Sequence, residues 1–134
     1  MIRTDAKSVR CSYAIHIAAL AAATLLLAPT PAQGAVASFS TKVLQTMVDA
    51  EKYGGCMAKV ENIPPQLDCK QDTKGTGWVT LSCNGLYSPP PIAREAFKQA
   101  QMALLTGNTM AMWLDDNETT EEGFCHAYRS ILGR

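Results

Sequence analysis

The hydrophobic and polar positions between Ala93 and Asp115 change their period once, and the change sets a helix beside a strand. At about 100° per residue, Ala93, Ala96, Phe97, Ala100, Ala103 and Leu104 fall in one stripe. Arg94, Glu95, Lys98, Gln99 and Gln101 fall outside it, so an amphipathic helix is expected. Thr106-Gly107-Asn108 supplies the left-handed position that ends a helix. From Met110 the period becomes two: Met110, Met112 and Leu114 share one face, and Ala111, Trp113 and Asp115 share the other. A single helix laid on a small antiparallel sheet is the core this pattern predicts.

The rest of the chain supplies further strands. Phe39 to Val48 mixes β-branched and apolar residues with Ser, Thr and Lys, as a long, bent first strand would. Asp49 to Gly55 reads as a turn broken at Gly54-Gly55. Cys56 to Glu61 alternates as a second strand, and Asn62 to Gly77, with Pro64-Pro65, reads as a long loop. Trp78 to Cys83 alternates again as a third strand that stops at Asn84-Gly85. Pro89-Pro90-Pro91 leads into the helix, since proline is tolerated in a first turn. Asp116 to Gly123 is expected to be an acidic hairpin loop, and Phe124 to Leu132 a fifth strand. The order β-β-β-α-β-β places the chain in a mainly β (α+β) class, as an OB-like five-stranded Greek-key barrel with one helix between strands 3 and 4.

The first residues change the picture of the compartment. Arg3, Lys7 and Arg10 precede an apolar run from Ala14 to Ala28, and small residues and turn formers fill Pro29 to Ala37. That is the layout of a secretory signal peptide. Cleavage fits after Gly34 or after Ala37, and the later site is the expected one, giving a leader 1–37 and a single domain 38–134. The run is shorter than the ~20 apolar residues of a membrane span. Cys11 precedes that run, so it is not placed as a lipoprotein cysteine and leaves with the leader. The product is expected to be exported, periplasmic or secreted, with no membrane span in the mature chain.

Charge narrows the partners. Residues 38–134 carry nine Lys and Arg against eleven Asp and Glu, a net charge of −2, with no long basic run. Nucleic acid and anionic membranes are not expected as partners. Four cysteines remain in that span: Cys56, Cys69, Cys83 and Cys125. Structural zinc favours close pairs, and the gaps here are 12, 13 and 41 residues, so two disulfides are the expected use. Three pairings are possible. In the barrel, the start of strand 2 faces the end of strand 3, and the start of strand 5 lies near the loop that feeds strand 3. Cys56–Cys83 and Cys69–Cys125 are therefore expected.

The segments GGCMAKV, WVTLSCNG, EAFKQAQMALLTGNTMAMWLDD and GFCHAYRSI resemble small secreted proteobacterial proteins of unknown function. Those in turn are similar to the B subunits of subtilase-cytotoxin and pertussis-like toxins. The resemblance runs from about Thr46 onward, and it departs where Cys125 opens the last strand, because the toxin subunits place cysteines later. It implies an OB-fold domain that assembles into a ring of five and binds cell-surface glycans. No sugar-contacting residue of the toxins maps onto a position here.

Trp78, Trp113, His126 and Tyr128 fall on outward strand faces and are the candidate ligand-binding residues. Flat aromatic faces suit the C–H surface of a sugar ring, although packing under the helix, in loops or against a subunit is the commoner use. Met102 and Leu105 lie on the helix opposite its apolar stripe and are the candidate oligomer contact. Asp115, Asp116, Glu118, Glu121 and Glu122 crowd one hairpin, where a solvated turn outweighs a calcium loop lacking the usual glycine. His126 is the single histidine after the leader, with Ser82 and Ser130 as hydroxyls by residue type alone. No nucleophile–base pair is visible, so neither enzymatic activity nor a metal or cofactor is expected. The sequence thus reads as a non-enzymatic exported binding module for a glycan or protein, with a homo-oligomeric ring implied by the resemblance. The alternative is a monomeric periplasmic structural or inhibitor-like protein with no glycan binding.

Overall fold

The computed structural model describes residues 34–49 and 52–133. Most of the expected leader, Cys11 included, lies outside the described residues. Gly34–Arg134 forms one unit. It holds strands β1 (Val36–Val48), β2 (Cys56–Val60), β3 (Gly77–Thr80), β4 (Thr109–Thr119) and β5 (Cys125–Leu132), with helix α1 (Pro90–Thr106) between β3 and β4. The strands close into a barrel in the order β1-β2-β3-β5-β4. All neighbours are antiparallel except β3 and β5, which run parallel and meet in one residue pair, Thr80 with His126. This is the OB-like architecture that the element order predicts.

The two periods lead to one core. Met110, Met112 and Leu114 of β4 point inward and are completely buried, together with Ala58 and Val60 of β2 and Val79 of β3. From α1, Ala93, Ala100 and Ala103 are buried, and Ala96 and Phe97 pack against the same cluster. Alanine at these positions lets the helix axis approach the barrel closely. Leu104 departs from the expected stripe and is 37% exposed. Residues 104 to 107 are all exposed, so the last turn runs past the barrel edge. Gly107 ends the helix at φ 69°, in the left-handed conformation that the sequence called for.

Three boundaries differ from the sequence pattern. β1 starts at Val36 rather than Phe39, pairing Val36 with Asp115 and Ala37 with Leu114. β4 runs on through Asp116 to Thr119, so the expected acidic loop shrinks to the turn around 120–124, closed by Thr120 N–H on Phe124 O at 2.9 Å. Charged composition suggested a turn, but Asp116 N–H still donates to Ala35 O at 3.2 Å and extends the ladder. β3 stops at Thr80, because Ser82 turns the chain at φ 61°. Glycine is required at Gly54, where a Cβ would stand 2.2 Å from Thr80 Oγ1.

The long loop before β3 is ordered by Asp72. Its carboxylate accepts Thr76 N–H at 2.9 Å and Lys74 N–H at 2.8 Å. These bonds, Thr76's first and then Lys74's, hold the carboxyl below its usual range. The folded value is lowered, so the stabilisation is present above the unfolded pKa and is lost as pH falls through the folded one.

Both expected disulfides are present, Cys56–Cys83 and Cys69–Cys125, with Cα–Cα distances of 5.4 and 5.3 Å. They close loops of 27 and 56 residues, worth about 3.5 and about 4 kcal/mol in the chain-entropy account. Replacing Cys69 and Cys125 together by serine is expected to lower unfolding free energy by roughly 3–4 kcal/mol in urea. Hydrogen exchange should quicken first in β3 and β5, and an unchanged midpoint would refute this account of the disulfide.

Candidate functional site

The β3–β5 seam has little ladder of its own, and the chain after β3 folds back over it. The positive φ of Ser82 starts the reversal, and its Oγ accepts Tyr87 N–H at 2.7 Å and Ser88 N–H at 3.3 Å. Asn84 N–H donates to Gly54 O at 3.0 Å, and Asn84 Oδ1 accepts Leu86 N–H at 3.1 Å. Held in this way, the Tyr87 ring covers His126, with centroids 5.2 Å apart, and its hydroxyl donates to Thr119 O at 2.6 Å. Ser88 Oγ lies 2.9 Å from His126 Nε2, and Glu118 Oε2 lies 2.7 Å from Nδ1. His126 itself is 1% exposed.

Ser88, His126 and Glu118 thus stand in the order of a nucleophile, a base and an orienting acid. Both ring nitrogens of His126 thereby have a hydrogen-bond partner, Glu118 Oε2 at Nδ1 and Ser88 Oγ at Nε2. Acyl transfer also needs donors aimed at the oxyanion. From Tyr87 to Ala93 the backbone offers no free one. Tyr87 and Ser88 N–H are committed to Ser82 Oγ, Pro89, Pro90 and Pro91 carry no N–H, and Ile92 and Ala93 N–H donate to Pro89 O. The trio satisfies both ring nitrogens of a buried histidine, which would otherwise be costly to desolvate. Among the described residues no buried side-chain nitrogen or oxygen lacks a partner.

Ser88 also borders an open groove of about 410 Å³ between α1 and β5. Ile92, Gln99, Tyr128, Arg129 and Ser130 line it with Ser88. Ser130 Oγ donates to Gln99 Oε1 at 3.1 Å and fixes the amide at the groove wall. The Arg129 guanidinium lies 4.8 Å from the centre of the Trp113 ring, a cation–π brace on the outer face. Polar residues, Glu95 among them, and Tyr128 therefore border one concave surface together with apolar residues such as Ile92, Ala96 and Ala127.

The sequence-predicted residues divide between roles. Tyr128 lines the groove, and Trp113 supports Arg129 from behind. Trp78 pairs with Lys59 on the β2–β3 ladder, two strands from Trp113 in the barrel, and is not among the lining residues. His126 corrects the expectation of an exposed ligand contact. Its pairing with Asp115 keeps it on the barrel's outer side, but Tyr87 and Ser88 cover it. Ser82 serves backbone donors and Ser130 serves Gln99, so neither reaches the histidine as a nucleophile. The sequence did not signal Ser88, Glu118 or Gln99 as site partners, since the first arrives with the return of the 82–88 segment, the second with the end of β4 and the third with α1. The hairpin acids have their own tasks: Asp115 Oδ1 accepts Asn117 N–H, and Asp116 binds the N–H groups of Ala35 and Asp68. Met102 and Leu105 are 50% and 82% exposed on the outer side of α1.

If the trio holds the seam, His126→Ala should cost about 2–4 kcal/mol, through a cavity and two orphaned partners. Ser88→Ala should cost about 1 kcal/mol. Urea midpoints test both, and equal midpoints for all three proteins would remove the structural role.

Compared with protein-family models, curated proteins and solved structures, the chain matches none of them.

Proposed function

We propose that the chain is an exported, non-enzymatic binding module whose site is the groove between α1 and β5, with a glycan as the ligand class. The observation that carries this reading is the groove itself. Tyr128 offers a flat apolar face beside the donors and acceptors of Ser88, Gln99, Arg129 and Ser130. A ring with C–H faces and a rim of hydroxyls is complementary to that mixture. The commitment of the backbone donors from Tyr87 to Ala93 supports binding over acyl transfer. Two disulfides in a short chain support the exported setting. No helix among the described residues is long and apolar enough to cross a membrane. Likeness to the toxin B subunits enters as part of this reading, and so does a homo-oligomeric ring, for which the exposure of Met102 and Leu105 is the support.

One observation favours a second reading. Ile92, 61% exposed, adds apolar surface to the groove, which suits a protein partner. A monomeric periplasmic structural or inhibitor-like protein with no glycan binding would use it that way.

Tyr128→Ala and Arg129→Ala are each expected to weaken a glycan-array signal roughly tenfold, equivalent to about 1.4 kcal/mol. Trp113→Ala should weaken it less, because that ring only braces Arg129. Signals unchanged in all three would sink the groove as the site. Hydrolysis of an activated ester should be the same for the native chain and for Ser88→Ala, and a loss on substitution would contradict the non-enzymatic reading. Light scattering on the oxidised protein should give an oligomer that Leu105→Glu dissociates, whereas a native monomer would favour the second reading.

A further inference from the structure

The start of β1 bears on where the leader ends. Ala35 N–H donates to Asp116 Oδ1 at 2.5 Å, and Asp116 N–H returns a bond to Ala35 O at 3.2 Å. The other carboxylate oxygen of Asp116 accepts Asp68 N–H at 3.1 Å, one residue before the Cys69–Cys125 disulfide. Val36 and Ala37 then pair with Asp115 and Leu114, and Ala35 and Ala37 pack against the hydrophobic core. A cut after Ala37 would remove every contact made by Ala35, Val36 and Ala37 and leave the Asp116 carboxylate without its nearest donor. A cut after Gly34 keeps every one of them. Gly34 is exposed at the barrel edge, and Ala32 and Gly34 are the small residues that a signal-processing peptidase reads.

We infer that the leader is removed between Gly34 and Ala35, and that the freed Ala35 α-ammonium pairs with the Asp116 carboxylate as part of the mature fold. This rests on the reading of the chain as exported, since the processing peptidase belongs to the export route. Hydrolysis breaks the bond from Gly34 C to Ala35 N. Water gives its hydroxyl to the Gly34 carbonyl and a hydrogen to the Ala35 nitrogen, which binds a further proton at neutral pH. A bond from a neutral peptide N–H thereby becomes a charge-assisted one, of a kind roughly twice as strong. The new terminus joins β1 to β4 and, through Asp68, to the loop that carries the second disulfide.

The test is to express the full chain in an exporting bacterial host and read the N-terminus of the product by sequencing and intact mass. A chain beginning at Ala35 supports the inference. A processed chain beginning at Ser38 overturns the site and leaves export intact, whereas an unprocessed chain retained in the cytosol overturns both. A second measurement concerns the ion pair, using oxidised chains that begin at Ala35 and at Ser38. The longer one should melt about 4–8 °C higher, and Asp116→Asn should lower its melting temperature more than that of the shorter one. Equal melting temperatures would refute the pairing.

Discussion

The barrel closes at one pair of residues. Every other neighbouring pair of strands shares a run of ladder bonds, but β3 and β5 meet only at Thr80 and His126. Parallel closure is also a non-local contact, since α1 and β4 lie between the two strands in the chain and bringing them together costs loop entropy. What the ladder lacks, other groups supply. Cys69–Cys125 links the loop feeding β3 to the start of β5, and Lys70 N–H donates to Gly123 O at 2.8 Å beside it. Cys56–Cys83 secures the exit of β3, where Leu81 N–H reaches Cys56 O at 3.0 Å. Between these two points sits His126, held from both sides by Ser88 and Glu118.

That position explains why a trio with the order of a hydrolytic triad is compatible with a non-catalytic role. A buried imidazole with both nitrogens satisfied defines one arrangement of three segments: β5, the end of β4 and the 82–88 return. Satisfied polar networks in a low-dielectric interior are directional, so they select a single packing where apolar contact alone would tolerate several. The Tyr87 ring and hydroxyl add a cover and a further tie to Thr119. Proton relay geometry follows from the same requirement, because each ring nitrogen of a buried histidine needs its own hydrogen-bond partner. Geometry among three side chains is therefore weaker support for catalysis than the state of the surrounding N–H groups, and those from Tyr87 to Ala93 are engaged within the loop and helix start.

The parts of the fold that were legible in the sequence are those governed by local periods. The α1 stripe, the left-handed stop at Gly107 and the inward Met110, Met112 and Leu114 depend on neighbours a few residues away. The disulfide pairing was legible one step further on, through the strand order. The end of β4 was not, because Asp116 to Thr119 carry turn-like composition but gain partners from β1 and from β5, where Thr119 pairs with Cys125. The burial of His126 was not legible either. Its alternation gave the correct side of the barrel, and only the fold-back at Ser82 determines whether that side is wet. Of the candidate site, Tyr128 and Trp113 could be named from strand alternation, whereas Ser88 and Gln99 reach the groove through α1 and the loop before it.

The seam and the groove are mechanically one feature. Ser88 belongs to both, bonding His126 on one side and lining the groove on the other. Tyr128, Arg129 and Ser130 follow His126 directly along β5, so the disulfide and the hydrogen bonds that fix the strand's first residues also fix where its next ones stand. The opposite wall is α1, drawn close by its buried alanines and linked across by Ser130 and Gln99. A surface that must bind a polar ligand gains affinity chiefly by having its groups in place beforehand, because ordering them on binding would consume much of the interaction. The weakest junction of the barrel is thus the one most heavily reinforced, and the reinforcement ends where the concave surface begins.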